Sequence, residues 1–457
     1  MVVTVVGGGS SQWMINLMKD VYLLEVQAAG GGEIRLVDPD RAGAEAVAKM
    51  LERFNRERGK EYSISVVDDR SDALRGADFV MTTFSPGSMD AFEMDLEVPV
   101  RYGIRQPVSM TVGPAGISAS LRTVPVAQEI VSDMERECPG AWLLNVTNPM
   151  TTVTAAMNRT ADTVKVLGLC HESHSFGRLS EAILGLRPPA GSTIVEQLYE
   201  WLPAQGLDYT VAGINHFVWI TKATQHGDDV LPKIRQFARD HRDLRPADHG
   251  HSLRNADAVK LALCRTFGYL PVVGDRHLVE FWPHLCNIRN GYAMEYRVEK
   301  TTVDSRRHRR DQNRARVLRI AAGEEQMDWS GSGEEMTEVI RCVLTGARTT
   351  AILNLPNRGQ IANLPEDAVV ETLTTIDGGE VQPLPSGELP GSVATLCRLH
   401  TDVHELTIRA SLEGSRELLI EALSLDPGAG TGDFGQMGQL ADELLRANRQ
   451  WLPRFWD

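Results

Sequence analysis

The chain is expected to be an α/β protein. A Rossmann-type, doubly wound parallel sheet should occupy residues 1–195, and an α+β domain for substrate, metal and oligomer contacts should follow over 196–457. Three observations predict this: a β-branched run opens directly into a glycine turn, short apolar strands then alternate with helical stretches, and that cadence loosens beyond about residue 195.

Val2-Val3-Thr4-Val5-Val6 is continuously apolar or β-branched, as a strand buried on both faces requires. Gly7-Gly8-Gly9-Ser10 then turns the chain into a helical pattern from Trp13 to Ala28. The next strand, Glu33 to Val37, ends in Asp38-Pro39-Asp40, where Asp38 could accept hydrogen bonds from an adenine-ribose diol. Gly7, Gly9, Ser10 and Asp38 are therefore candidates for holding a dinucleotide. The fingerprint is incomplete. Gln12 stands where a third glycine would be, and Asp38 follows Gly9 by 29 residues (38 − 9), against a usual interval of about 20, a difference that residues 28–32 could absorb as an insertion. By itself this stretch also reads as a plain strand-to-helix turn.

Further strands follow at Ser63 to Val67, Phe79 to Thr83, Trp142 to Asn145 and Val164 to Leu169. A doubly wound sheet would bring their C-terminal ends to one ligand crevice. Those ends carry Thr82 to Gly87, with Ser85 and Pro86 as further cofactor contacts, then Asn145 to Pro149, then Cys170-His171-Glu172. Beyond residue 195, Gly213 to Ile220, Pro271 to Phe281 and Asn354 to Leu364 read as punctuated loops. One stretch is strongly biased: Arg306-Arg307-His308-Arg309-Arg310, with Arg314, Arg316 and Arg319 after it. It reads as a solvated or subunit-pairing helix face, or as the source of an arginine for an anionic substrate.

The 47 basic against 61 acidic side chains give a net charge of −14, which repels nucleic-acid phosphates and anionic lipid, so neither is an expected partner. Six cysteines, at 138, 170, 264, 286, 342 and 397, show no C-x-x-C spacing and read as reduced thiols. The chain starts without a leader pattern, and no apolar run approaches 18 residues, so a cytoplasmic protein is expected.

Cys170 and the later Gly213-Ile214-Asn215-His216 offer a soft thiolate and an imidazole from separate segments, a pair suited to a borderline metal. Behind a dinucleotide turn, such a pair suggests redox chemistry on an alcohol. Taken singly, a core cysteine and a structural histidine are the alternatives.

Gly7-Gly8-Gly9-Ser10, Thr147-Asn148-Pro149, Cys170-His171-Glu172, Gly213-Ile214-Asn215-His216-Phe217 and Gly274-Asp275-Arg276-His277-Leu278 together resemble glycoside hydrolase family four, the NAD- and manganese-dependent glycosidases. The resemblance extends to Asn354-Leu355-Pro356-Asn357 and is strongest for the branch with α-galacturonidases. It implies a lactate/malate dehydrogenase-like fold, NAD and Mn2+ (or another divalent metal) as cofactors, a glycoside substrate and a homodimer or homotetramer. It also implies a redox-elimination route: hydride leaves C3 of the sugar, a base takes the C2 proton, the aglycone departs from C1, water adds and the hydride returns. The NAD-dependent family is an exception to the usual two-carboxylate mechanism.

By the same resemblance, Cys170 and His216 match metal ligands, Asn148 holds sugar hydroxyls and Asp275 is the C2 base. His171 matches the acid at the leaving oxygen, and Glu172 lies among the substrate contacts. Asn148 as a loop cap, Asp275 as a turn salt bridge and His171 as an orienter of Cys170 remain the alternatives. One stretch departs from the branch pattern Gly-Asp-Thr-Val-Gly-Pro-Gly-Gly, because here Ser109-Met110-Thr111-Val112-Gly113-Pro114-Ala115-Gly116 puts Met110 where a carboxylate is expected. Losing that charge favours an anionic C6 group, so a sulfoquinovoside (a sulfoquinovosidase reading) stands beside a galacturonide. Arg105, Arg122 and Arg276 are candidate partners for that anion. A neutral-sugar α-glucosidase, a 2-hydroxy-acid dehydrogenase and a dinucleotide-sensing binding protein are the rival readings.

Overall fold

The computed structural model describes residues 1–26, 30–242, 257–288, 296, 298–429 and 433–456. Its strands, in chain order, are β1 Val2–Val6, β2 Gly31–Val37, β3 Glu61–Val66, β4 Phe79–Thr82, β5 Trp142–Asn145, β6 Lys165–Leu169, β7 Leu207–Ile214, β8 Phe217–Gln225, β9 Asp228–Asp229, β10 Leu270–Pro271, β11 Arg348–Pro356, β12 Val369–Asp377 and β13 Glu380–Pro383.

β1 to β6 are parallel and lie in the order β3-β2-β1-β4-β5-β6, with the reversal between β1 and β4 where such sheets open a ligand crevice. The burial explains the opening run. Val3 and Val5 enter the core on one face beneath Met14, Leu17 and Met18 of the helix Met14–Leu23, whereas Val6 enters the opposite core under Ile130, Val131 and Met134 of the helix Gly113–Glu137. A strand covered on both faces has no polar side to alternate. The first helix is shorter than the expected Trp13 to Ala28, and residues 27 and 28 lie outside the described residues. The second helix, Arg41–Arg58, starts where the Asp40 carboxylate accepts the Gly43 N–H and stops at Gly59, whose φ of 61° suits a residue without a Cβ.

The sheet does not end at β6. β11 pairs antiparallel with it through Leu353↔Leu169 and Asn354↔Gly168, and β12, β7, β8 and β10 extend the same sheet. Residue 195 thus falls between the parallel and antiparallel parts of one continuous sheet. No helix among the described residues is long and apolar enough to cross a membrane.

The basic stretch forms the helix Val303–Ala322, packed against Arg41–Arg58 and Ser88–Val100. Its arginines find acids in the same chain: Arg307 pairs with Glu93, Arg314 with Asp40, and Arg316 and Arg319 with Glu325.

Arg122 does not serve the substrate, contrary to the sequence expectation. It is buried, forks onto Asp95 at 2.9 and 2.6 Å, and bonds Asn448 and the Pro86 carbonyl, so its charge is spent on holding two helices and the turn after β4. Replacing it by leucine leaves the Asp95 charge buried alone and should destabilise the fold by about 3–5 kcal/mol in a denaturant titration, with substrate preference unchanged. A normally stable Arg122→Leu variant with altered preference for acidic sugars would contradict this assignment.

Candidate active site

Strand β1 delivers the chain into a turn only glycine can make. Gly7 sits at φ 94°, and a Cβ there would lie 2.4 Å from the Thr83 carbonyl oxygen. The Gly7 and Gly8 N–H groups donate to the Val37 carbonyl at 2.9 and 3.2 Å. Asp38 accepts the Gly9 N–H at 2.9 Å and the Asp40 N–H at 2.8 Å, and burial raises its pKa. The following Ser10 N–H closes back on Gly7. Among the described residues, the N–H groups of Ser11, Gln12 and Trp13 have no backbone acceptor, and they open the helix Met14–Leu23. Close backbone approach and an open helix end fit a dinucleotide pyrophosphate. Across the crevice, Ser85 is exposed at the end of β4 and Pro86 is held by Arg122.

Cys170 is the first residue past β6, and its thiol bonds the Asn215 side chain. Burial, reinforced by the charges of Glu371 and Glu172, pushes the thiol well above its ordinary pKa. His216 arrives from the antiparallel half. Asn215 and His216 are the two turn residues between the paired Ile214 and Phe217, and His216 is held at φ 62°, where Gly or Asn is the usual choice. Its Nδ1 lies 2.5 Å from the Thr111 hydroxyl and its ring packs on His277 at 3.8 Å. Burial, then the His277 charge, drives the His216 pKa well down, so the ring is neutral and Nε2 makes none of these contacts. Glu172 accepts the Gly274 N–H at 3.0 Å and faces His277 at 3.5 Å. Burial would raise its pKa, but the charge and hydrogen bond of His277, with the charge of His171, hold it well below the usual range.

A thiol and a neutral, oriented imidazole are a chemically suitable donor set for a borderline divalent metal. Among the described residues no three His, Cys, Asp or Glu side chains form a ready cage, so a metal here would rest on Cys170 and His216 with its other positions open.

His171 lies on the solvent side, its side chain 47% exposed and 6.1 Å from the Trp13 ring at the cofactor turn. Burial alone would lower its pKa, but Glu334 at 3.2 Å, together with Glu172 and Glu335, raises it to about 9.

The remaining candidates divide. Asn148 Oδ1 accepts the Met150 N–H at 3.3 Å, capping the helix Met150–Thr160, as the loop-cap alternative expected. Asp275 accepts the Val259 and Lys260 N–H groups at 2.8 and 3.0 Å with its two oxygens, so it holds the start of the helix Ala258–Phe267, and burial pushes its pKa up to about 7. Arg276 spends Nε and Nη2 on the Glu299 and Pro107 carbonyls and the Thr301 hydroxyl, while Nη1 makes none of these contacts. Arg105 lies near Lys300, where its charge adds to burial in lowering that amine's pKa. Met110 Sδ is 3.4 Å from Arg306 Nη2, so the arginine that the basic helix sends to this loop comes from the same chain.

Residues 2–186 match the profile of the family 4 glycosyl hydrolases, and residues 211–429 match that family's C-terminal domain. The chain belongs to the family 4 glycosyl hydrolases. An alpha-galacturonidase of Thermoanaerobacterium saccharolyticum is 32% identical to it over 98% of this chain and 95% of that one. A solved Bacillus subtilis structure superposes with a TM-score of 0.85 at 30% identity, covering 97% of this chain and 100% of the other. A 6-phospho-alpha-glucosidase from gut microorganisms, solved with NAD and Mn2+, superposes with a TM-score of 0.80 at 21% identity over 99% and 98% of the two chains, a likeness of fold.

Several groups of this family 4 glycosidase escape sequence reasoning. Glu280 is buried, accepts the Val108 and Ser109 N–H groups at 2.7 Å each and shapes the Met110 loop. Glu334 and Glu335 approach His171 and His174 from a loop more than 150 positions away. Glu371 is buried in β12 with its pKa pushed up to about 8 by burial, and it receives the Asn215 amide. A charged residue inside the apolar run Val369–Leu373 was the one available signal.

Because its folded pKa is raised above the ordinary 6.5, His171 should stay protonated through neutrality. Its pairing contributes stability below pH 6.5 that is lost as pH rises through about 9. NMR titration of the imidazole should show this, and Glu334→Gln should move the midpoint down. Wild-type titration near 6.5 would contradict the pairing.

Proposed function

We propose that this glycosidase uses NAD and a divalent metal, Mn2+ first among them, to cleave α-glycosides whose sugar carries an anionic group at C6, a sulfonate or a uronate carboxylate. The cofactors are supported by the glycine turn, by the Cys170 and His216 donor set, and by the related structure that holds both NAD and Mn2+. The acidic sugar is supported by the alpha-galacturonidase relative. Bound NAD would supply a reversible hydride acceptor for C3, and the metal a Lewis acid for the oxygen charge that develops there.

The chain's own groups take the remaining tasks. The turn Gly7 to Ser10 admits the dinucleotide backbone, Asp38 takes the ribose, and Ser85 and Pro86 border the opposite wall. Cys170 and His216 hold the metal, with Thr111 fixing the imidazole. Asn148 and Glu172 face the sugar hydroxyls. His171, kept protonated by Glu334, donates to the departing glycosidic oxygen.

The contact of Met110 with Arg306 carries the substrate assignment. A carboxylate at position 110 would form an ion pair with this guanidinium and set a negative charge beside the sugar, whereas a thioether is a weak neutral acceptor that adds no negative charge there. Arg276, which donates to the Glu299 and Pro107 carbonyls and to the Thr301 hydroxyl, adds a second cation beside the same loop. The test compares nitrophenyl α-sulfoquinovoside, α-galacturonide and α-glucoside with the wild type and Met110→Asp, NAD and Mn2+ present. The wild type should favour an anionic sugar, and Met110→Asp should cut kcat/KM on it about tenfold to a hundredfold, roughly 1.5–3 kcal/mol, with the glucoside rate nearly unchanged. Equal wild-type efficiency on the glucoside would contradict the proposal.

A further inference from the structure

We infer that Glu371 is a positioning residue that sets the His216-bearing hairpin against the Cys170-bearing strand, an inference that rests on these two residues being the metal ligands. The two come from opposite halves of the sheet: Cys170 follows β6 in the parallel part, and His216 sits at the tip between β7 and β8 in the antiparallel part. Two strands, β11 and β12, lie between them. One register row crosses all four strands: Gly168 of β6 opposite Asn354 of β11, Asn354 opposite Glu371 of β12, and Glu371 opposite Gly213 of β7. The row thus ends two residues before Cys170 on one side and three before His216 on the other.

Both ends of the row are glycine for steric reasons. A Cβ at Gly168 would lie 2.7 Å from the Thr154 hydroxyl and 2.8 Å from the Asn354 Cβ, and one at Gly213 would lie 2.2 Å from the Phe217 carbonyl oxygen. The backbones are therefore drawn close around two polar side chains. Glu371 is 0% exposed, in a strand where valine, leucine and threonine surround it. A carboxyl so placed weakens a sheet unless its hydrogen bonds do something an apolar residue could not. What it does is accept the Asn215 Nδ2–H at 2.8 Å.

Asn215 is likewise fully buried, is the turn residue directly before His216, and bonds the Cys170 thiol with the same side chain. The chain of contacts is Glu371 to Asn215, then Asn215 to Cys170 through space and to His216 through one peptide. Thr111 holds the far side of the His216 ring, so Asn215 is the brace on the near side. His216 stays at φ 62°, a conformation a histidine keeps only when its surroundings enforce it. Removing Glu371 leaves the Asn215 amide without its acceptor and frees the tip to relax.

The test is a Co2+ titration of the full-length, NAD-loaded protein, read by the thiolate-to-cobalt charge-transfer absorption, independent of turnover. Wild type should show the band and Cys170→Ser should lose it; absence of the band in wild type would sink the metal reading and the inference with it. With the band present, Glu371→Gln, which keeps an acceptor for Asn215, should bind Co2+ nearly as wild type does. Glu371→Leu should weaken binding about tenfold to a hundredfold, the usual effect of losing an outer contact to a metal ligand. Asn215→Ser removes the same bond from the other side, keeps the test open if the leucine variant does not fold, and should weaken Co2+ binding equally. Wild-type affinity in Glu371→Leu or, should that variant not fold, in Asn215→Ser would overturn the inference, as would a Gln variant as weak as the Leu variant.

Discussion

Everything in the cleft depends on the short antiparallel junction between β6 and β11. Through Leu353↔Leu169 and Asn354↔Gly168 it joins the parallel half-sheet, which brings the glycine turn and Cys170, to the antiparallel half, which brings His216. The two halves also share a core, one apolar cluster that joins Val3, Val5 and Leu167 of the parallel strands to Ala351 and Leu353 of β11 and Ile376 of β12. Here the junction is what makes one site of two halves. The price is close packing: the last residues of β6 admit no side chain at Gly168, and Asn354 opposite it is fully buried inside the sheet.

The site also shows how neighbours, more than residue type, decide ionisation. His171 and His216 share one cluster and move in opposite directions. Glu334 raises His171 to about 9, whereas burial and the charge of His277 make His216 a neutral ring. The carboxylates split in the same manner, with Glu172 held low by His277 and His171 and Glu371 pushed up to about 8 by burial. A protonated imidazole and a neutral one are thereby available at one pH in one cluster, although the two residues are far apart along the chain.

Much of this was legible in the sequence. The β-branched opening run, the glycines and the short strands are local signals, and β1 to β6 appear with their expected residues to within about two positions, whereas Gly213 to Ile220, expected as a loop, is the tip of the β7–β8 hairpin, and Asn354 to Leu364, also expected as a loop, begins in β11. Cys170 and His216 stood out because their residue types carry metal chemistry wherever they fall. What could not be read was pairing across the chain. Arg122 looked like a site residue because charge in a motif suggests function, yet Asp95 claims it, a partner that no local pattern reveals; the backbone N–H groups on Asp275 are equally hidden from the sequence. Glu334 and Glu371 were missed for the same reason: each meets the site from a segment far along the chain. Arg306 reaching Met110 within one chain, where a partner subunit was equally conceivable, is a tertiary fact of that kind.

The central claim is that glycoside cleavage proceeds by oxidation at C3 and proton loss at C2. Hydrolysis of an α-galacturonide or α-sulfoquinovoside in D2O, with NAD and Mn2+ present, tests it most directly when the released sugar is read by proton NMR. The account predicts deuterium at C2 of the released sugar; turnover that leaves C2 fully protonated would contradict it.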